Sequence, residues 1–152
     1  MVDVEELLGE GKVIQIPLTG LSMYPFLIGG RDKVILEPAS ENDAFRKGEV
    51  LLYRRAGSIL VLHRLIRQDE KGLYMCGDNQ SEIEGPLMRK QIRGRMVGFV
   101  RKGKERSVAY VPYRLLTGLW RVFLPLRPAA WGLLRFFRRL FHITPKNPAD
   151  TG

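Results

Sequence analysis

Polar and apolar positions alternate in part from Lys12 to Leu18 (Lys-Val-Ile-Gln-Ile-Pro-Leu) and run into Thr19-Gly20, the pattern of a half-buried strand feeding a turn. Ser22 then opens a short helical turn, with Pro25 acceptable in its first turn and Gly29-Gly30 ending it. Lys33 to Glu37 reads as a strand bounded by Pro38. Glu49 to Arg54 and Ser58 to Ile66 form a hairpin across Arg55-Ala56-Gly57, and Gly72 to Cys76 is a short strand that delivers Gly77-Asp78-Asn79. Gln91 to Arg101 is a long strand of alternating character. Short strands, Gly-rich turns and little helix predict a mainly β domain built on a coiled sheet.

Past Tyr110 the period changes. Residues 113–124 and 129–141 place Leu, Trp and Phe at helical spacing with arginines between them, and Pro125 and Pro128 break the run into two short helices. Arg121 and Arg127 near the middle of the apolar stretch argue against a membrane span, at roughly 2.5–3.5 kcal/mol each at the midplane. A tail from Thr144, with Pro145 and Pro148, reads as disordered.

Charge sharpens the same boundary. The chain carries 25 Lys/Arg against 16 Asp/Glu, a net +9, and no acidic residue occurs between Arg106 and Ala149. Residues 1–99 are neutral, while residues 100–111 carry +3 and residues 112–152 carry +6, which predicts a domain over residues 1–111 and a basic amphipathic extension over 112–152. Basic helices bearing Trp and Phe suit an anionic membrane surface, here through residues 112–142, or packing on the domain itself. Nucleic acid is not the expected partner, because the arginines mix with bulky apolar residues and no helix-turn-helix, zinc or RNA-binding signature occurs.

The length of 152 residues suits one domain, and 45% apolar content suffices for a core. Cys76, the single cysteine, has no partner for an internal disulfide and reads as an inert buried thiol. No Cys/His cluster suggests a metal, and no cofactor is expected. Without a signal-peptide pattern, the expected location is cytoplasmic, peripheral to the membrane through the basic extension.

Three strings carry candidate chemistry: Gly20-Leu21-Ser22-Met23-Tyr24-Pro25, Val61-Leu62-His63-Arg64, and Gly77-Asp78-Asn79. A serine hydroxyl needs a base within hydrogen-bond reach, and that base needs an orienting acceptor. His63 lies in an apolar run where an imidazolium is costly, so a neutral ring able to accept a proton is favoured. Each string also has a plain structural reading: a helix N-cap at Ser22, a core histidine at His63, a turn at Asp78-Asn79.

Taken in order, together with Gln91-Ile92-Arg93-Gly94, these strings resemble the type I signal peptidase superfamily, which includes self-cleaving repressor proteases; the correspondence runs from about Ile16 to Phe99. Bacterial leader peptidases have Lys where this chain has His63, and the His version is similar to the endoplasmic-reticulum and archaeal enzymes. The resemblance implies a coiled β-sheet serine peptidase with Ser22 as nucleophile, His63 as general base and Asp78 as orienting carboxylate, with Glu82 and Glu84 as alternatives to Asp78. The chain departs from the pattern in having no apolar run of about 20 residues before Ser22. It also has Gly20 where leader peptidases often place an oxyanion-binding hydroxyl, leaving that role to backbone N–H groups or Thr19. The expected activity is endopeptidase cleavage of a leader or precursor peptide, bound along strand edges near Ile16–Leu18 and Val61–Leu62. The alternative is a catalytically inactive module gripping a peptide or membrane on the same fold.

Overall fold

The computed structural model describes residues 3–55 and 59–126, with positions 129, 132, 133 and 136 beyond them. The chain is mainly β, as its patterning predicts. After a short helix α1 (Val4–Gly9) come strands β1 (Ile14–Pro17), β2 (Asp32–Pro38), β3 (Val50–Arg54), β4 (Leu60–Asp69), β5 (Gly72–Cys76) and β6 (Glu84–Leu87). Strands β7 (Ile92–Arg101) and β8 (Lys104–Ser107) complete one antiparallel sheet, and helix α2 (Val111–Val122) follows. The order across the sheet is β1-β2-β7-β3-β4-β5-β6, with β8 paired to β7. The long β7 is the spine: β2 covers one edge, while β3 and β8 share the other.

Both faces of the centre of the sheet are covered, which is why β3 reads Val-Leu-Leu-Tyr without alternation. One face gathers Val34, Leu36, Leu52, Leu62, Met96 and Phe99 with Leu8 of α1 and Tyr113 of α2; the other gathers Leu51, Tyr53, Leu65, Leu73 and Met75. Each such side chain contributes roughly 1.5–3 kcal/mol on burial, before the cost of chain ordering.

Three elements are additions to the patterning. Helix α1 is capped by Asp3, which accepts from the N–H of Glu5 at 2.9 Å, and Glu5 and Glu6 lie in its first turn, where the helix dipole favours acids. Glu5 then ties the helix to the sheet through Arg54 and Arg93. Strand β6 hides behind Gly85-Pro86, a dipeptide that argues against a central strand but is tolerated on the edge that β6 occupies. Strand β8, Lys-Glu-Arg-Ser, has no apolar signal; its hairpin is set by Lys102 and Gly103, both at positive φ (51° and 73°), the pairing that matches strand twist.

The expected helical turn at Ser22 is instead a run of turns from Ser22 to Phe26 within a loop closed at its base. Gly29 donates to the Gly20 carbonyl at 3.2 Å and Gly30 to that of Leu18 at 3.0 Å. A Cβ on Gly29 would fall 2.3 Å from the Gly20 oxygen, so the closure requires glycine. Asp32 clamps the same loop: its buried carboxylate accepts from the Ile28 N–H and from Arg31 and Arg101, which together hold it well below the usual carboxylate range despite burial.

The first expected C-terminal helix, placed at residues 113–124, is α2, two residues earlier. The second, at 129–141, and the tail from Thr144 lie outside the continuously described residues, as does the turn at 56–58. Helix α2 packs on the sheet: Tyr113 and Thr117 are buried, Phe26 meets Tyr113 and Trp120 edge to face, and the Trp120 indole N–H donates to the Asp78 carbonyl at 2.8 Å. The boundary drawn at residue 111 therefore passes through a packed contact. Among the described residues no helix is long and apolar enough to cross a membrane.

Candidate active site

Ser22 is held from both directions along the chain. Its neighbour Met23 and, four residues further, Leu27 are buried anchors, and its own carbonyl accepts from the Asn79 N–H at 2.8 Å. That carbonyl packs where a side chain on residue 77 would go, since a Cβ on Gly77 would lie 2.6 Å from it. The Gly-Asp-Asn string is thus the shelf on which the Ser22 loop rests. Gly20, where a hydroxyl residue is common in the resembling family, has φ of 75°, a conformation that strains any residue with a Cβ.

Ser22 opens onto a cavity of about 300 Å³ whose walls include Ile16 to Thr19 on one side and Leu60 to Leu62 on the other. Strands β1 and β4 are separated by three strands in the sheet order, so only a curled sheet brings them to one cavity. Strand β5 pairs with β4 from Arg64 onward, which leaves the edge at residues 60–63 unpaired by a described strand. The outer edge of β1 is likewise unpaired.

His63 follows the cavity wall directly and is 4% exposed. Continuing the register of Arg64 with Cys76 and Leu65 with Met75 sets His63 against Gly77, beside the Ser22 shelf. Its Nδ1 lies 3.1 Å from the Tyr53 hydroxyl, which itself lies 2.7 Å from Glu84 Oε2. Arg55 Nε donates to the other Glu84 oxygen at 2.8 Å, and this pairing outweighs desolvation to hold the Glu84 carboxyl below its ordinary value. An ionised carboxylate cannot donate, so Tyr53 gives Glu84 its single hydroxyl proton. The Tyr53 oxygen is then left to accept from His63, which fixes the ring proton on Nδ1 and leaves the lone pair of the neutral ring on Nε2. Burial pushes the His63 pKa down, partly countered by the Glu84 charge. Tyr53, buried and beside that carboxylate, is pushed up and stays protonated.

Asp78, expected to orient His63, is turned elsewhere. Its carboxylate accepts two bonds from Arg64, from Nε at 2.7 Å and Nη2 at 2.6 Å, with both side chains buried. Arg64 also donates to the Gly48 carbonyl and the Tyr113 hydroxyl. The cause is the pleat: adjacent residues of a strand point to opposite faces, so His63 joins the face of Leu51 and Tyr53, while Arg64 carries Asp78 to the face of Tyr113. The described contacts of His63 run to Tyr53 and, through it, to Glu84, one of the two alternatives read from the sequence; Tyr53 itself was not a sequence candidate. Glu82 takes no part in these contacts.

The Ser22 hydroxyl and His63 Nε2 each lack a hydrogen-bond partner among the described residues, and no hydrogen bond joins them. Among those residues no three His, Cys, Asp or Glu side chains gather where a metal ion would be held.

No protein-family model matches the chain, and no curated protein does. The functional reading rests on the site and on the motif resemblance.

Proposed function

We propose that the protein is a serine endopeptidase in which Ser22 attacks the scissile carbonyl and His63 Nε2 takes the seryl proton. His63 would return that proton to the leaving amine, and water would then resolve the acyl-enzyme. The observation that carries this reading is the His63–Tyr53–Glu84 chain, because it favours a neutral imidazole whose Nε2 has no hydrogen-bond partner among the described residues, the form a general base must have. Tyr53 and Glu84 are positioning residues in this scheme, doing for His63 what a carboxylate does in a serine-protease triad. An extended leader or precursor peptide suits the two unpaired edges beside Ser22, which offer backbone groups for strand addition, while the small cavity takes a side chain next to the cleaved bond. The absence of a Ser22–His63 hydrogen bond is the observation that favours the other reading, an inactive peptide-binding module on the same scaffold. Hydrolysis of extended peptides separates the two.

Replacing Tyr53 by Phe should lower kcat by about 2- to 13-fold, the population shift expected when a bond worth roughly 0.5–1.5 kcal/mol no longer selects the Nδ1–H tautomer. A kcat for Tyr53→Phe equal to that of the parent would remove the tyrosine from the mechanism. The pH profile checks the same chain differently. Neutral His63 is the working form, and its pKa is lowered by burial, so the acid limb of kcat/KM should lie below the ordinary histidine value of about 6.5. Glu84 raises the His63 pKa and Arg55 lowers it, so Glu84→Gln should move that limb to still lower pH. Stability follows the same sign. The unfolded chain binds the His63 proton more tightly than the folded one, so this contribution is present above the unfolded pKa and fades as pH falls toward the folded one. A limb unmoved in Glu84→Gln would show that the glutamate charge does not reach the base.

A further inference from the structure

Helix α2 is amphipathic in the reverse sense to a surface helix. The side chains it turns to the sheet are Tyr113, Thr117 and Trp120. At 100° per residue the opposite arc is Val111, Leu115, Leu119 and Val122, which are 58–68% exposed, flanked by Leu116 and Phe123. No polar side chain stands on that arc, where a helix facing water carries its charges. The arginines are displaced to one flank. Arg114 and Arg121 line a cavity of about 740 Å³ between α2 and the sheet, together with Arg46, Lys47, Arg64 and Arg95, and Glu49 is its only acidic lining. Arg64 and Arg95 lie within ion-pair distance of carboxylates, although Arg95 Nε makes no hydrogen bond among the described residues; Arg121 Nη1, buried beside Gly48, has no hydrogen-bond partner among those residues either. An apolar crest next to a cation-lined cleft holding an unsatisfied guanidinium nitrogen is complementary to a surface that is apolar below and anionic above.

We propose that α2 docks on an anionic phospholipid bilayer, its Leu115–Leu119–Val122 crest entering the headgroup–acyl boundary while the exposed Arg114, Arg46 and Lys47 take lipid phosphates. A second copy of the chain fits the crest less well, because it would bring the same arginine flank and a net +9 against itself. The inference is independent of the peptidase reading and can fail without it.

Co-sedimentation of the full chain with vesicles of phosphatidylcholine alone, or with about a third phosphatidylglycerol, tests it. The parent should pellet with the anionic vesicles at low salt, stay in solution with the neutral ones, and be released as salt screens the surface. Leu115→Glu combined with Leu119→Glu should abolish pelleting with an unchanged thermal melt, since both residues are exposed. Arg114→Gln with Lys47→Gln should weaken partition about 5-fold per charge removed. Glycerol phosphate separates headgroup from free anion: it should not release the parent from vesicles at concentrations that leave ionic strength unchanged. Failure of the parent to pellet overturns the proposal, as does pelleting by the Leu→Glu double variant equal to the parent. A shift of that variant from dimer to monomer in size-exclusion chromatography, with vesicle binding unaltered, would assign the crest to self-association instead.

Discussion

Asp78→Ala should cost stability before it costs chemistry. Arg64 and Asp78 are 2% and 4% exposed, and the alanine variant leaves the guanidinium buried with only the Gly48 carbonyl and the Tyr113 hydroxyl for partners. Removing one member of a buried pair typically costs about 3–5 kcal/mol, whereas replacing both by apolar residues of similar volume is far milder. For a chain of this size that corresponds to a fall in Tm of about 6–20 °C. Arg64→Met combined with Asp78→Leu should recover most of the loss. The loss also reaches the site indirectly, because Asn79 on the same turn holds the Ser22 carbonyl and Trp120 holds the Asp78 carbonyl. Urea denaturation of the parent and the two variants checks this. An Asp78→Ala protein as stable as the parent but without hydrolysis would return Asp78 to the role of orienting His63.

That result bears on how far a site can be read from a chain. The strings at Ser22 and Asp78 do meet, because the Asn79 N–H holds the Ser22 carbonyl and the Gly77 turn is the shelf for the Ser22 loop, while His63 lies one residue beyond the last paired position of β4 with β5. The strands around them were legible because β2, β3, β4, β5 and β7 carry apolar runs bounded by turn residues. What adjacency in sequence hides is the pleat. His63 and Arg64 are neighbours in the chain and face opposite sides, and a lone carboxylate such as Asp78 goes to only one of them. An arginine embedded in Leu-His-Arg-Leu-Ile was a usable signal, since a buried guanidinium demands a paired acid. The Tyr53–Glu84 link had no such signal. Strands β3 and β6 are two strands apart, and the hydroxyl meets the carboxylate only because the sheet curls. The Ser22 turn was misjudged as helical because its shape is set by remote anchors, Asp32 with Arg101 and Gly20 with Gly29, rather than by local propensity.

Ser22→Ala and His63→Ala should each reduce kcat/KM for an extended peptide by about 10⁴–10⁶-fold, with the double variant little worse than either alone, since groups acting as one unit are not additive. Ser22 is half-exposed at a cavity mouth, so its alanine variant should melt as the parent does. His63→Lys should not rescue activity, because a lysine base needs a pocket that lowers its pKa, and the nearby Glu84 carboxylate favours the ammonium form. Single-turnover kinetics on the four proteins give the comparison; additive losses in the double variant would separate the two residues into unrelated roles.

The most direct test of the serine nucleophile is chemical. Incubating the folded protein with a fluorophosphonate and mapping the adduct by peptide mass spectrometry should find one phosphonylated residue, Ser22. Labelling should be lost in Ser22→Ala, strongly slowed in His63→Ala, and show the acid limb below about pH 6.5 that a buried histidine base imposes. An intact, folded protein that takes no label at Ser22 across that range would contradict the account and leave a binding module in its place.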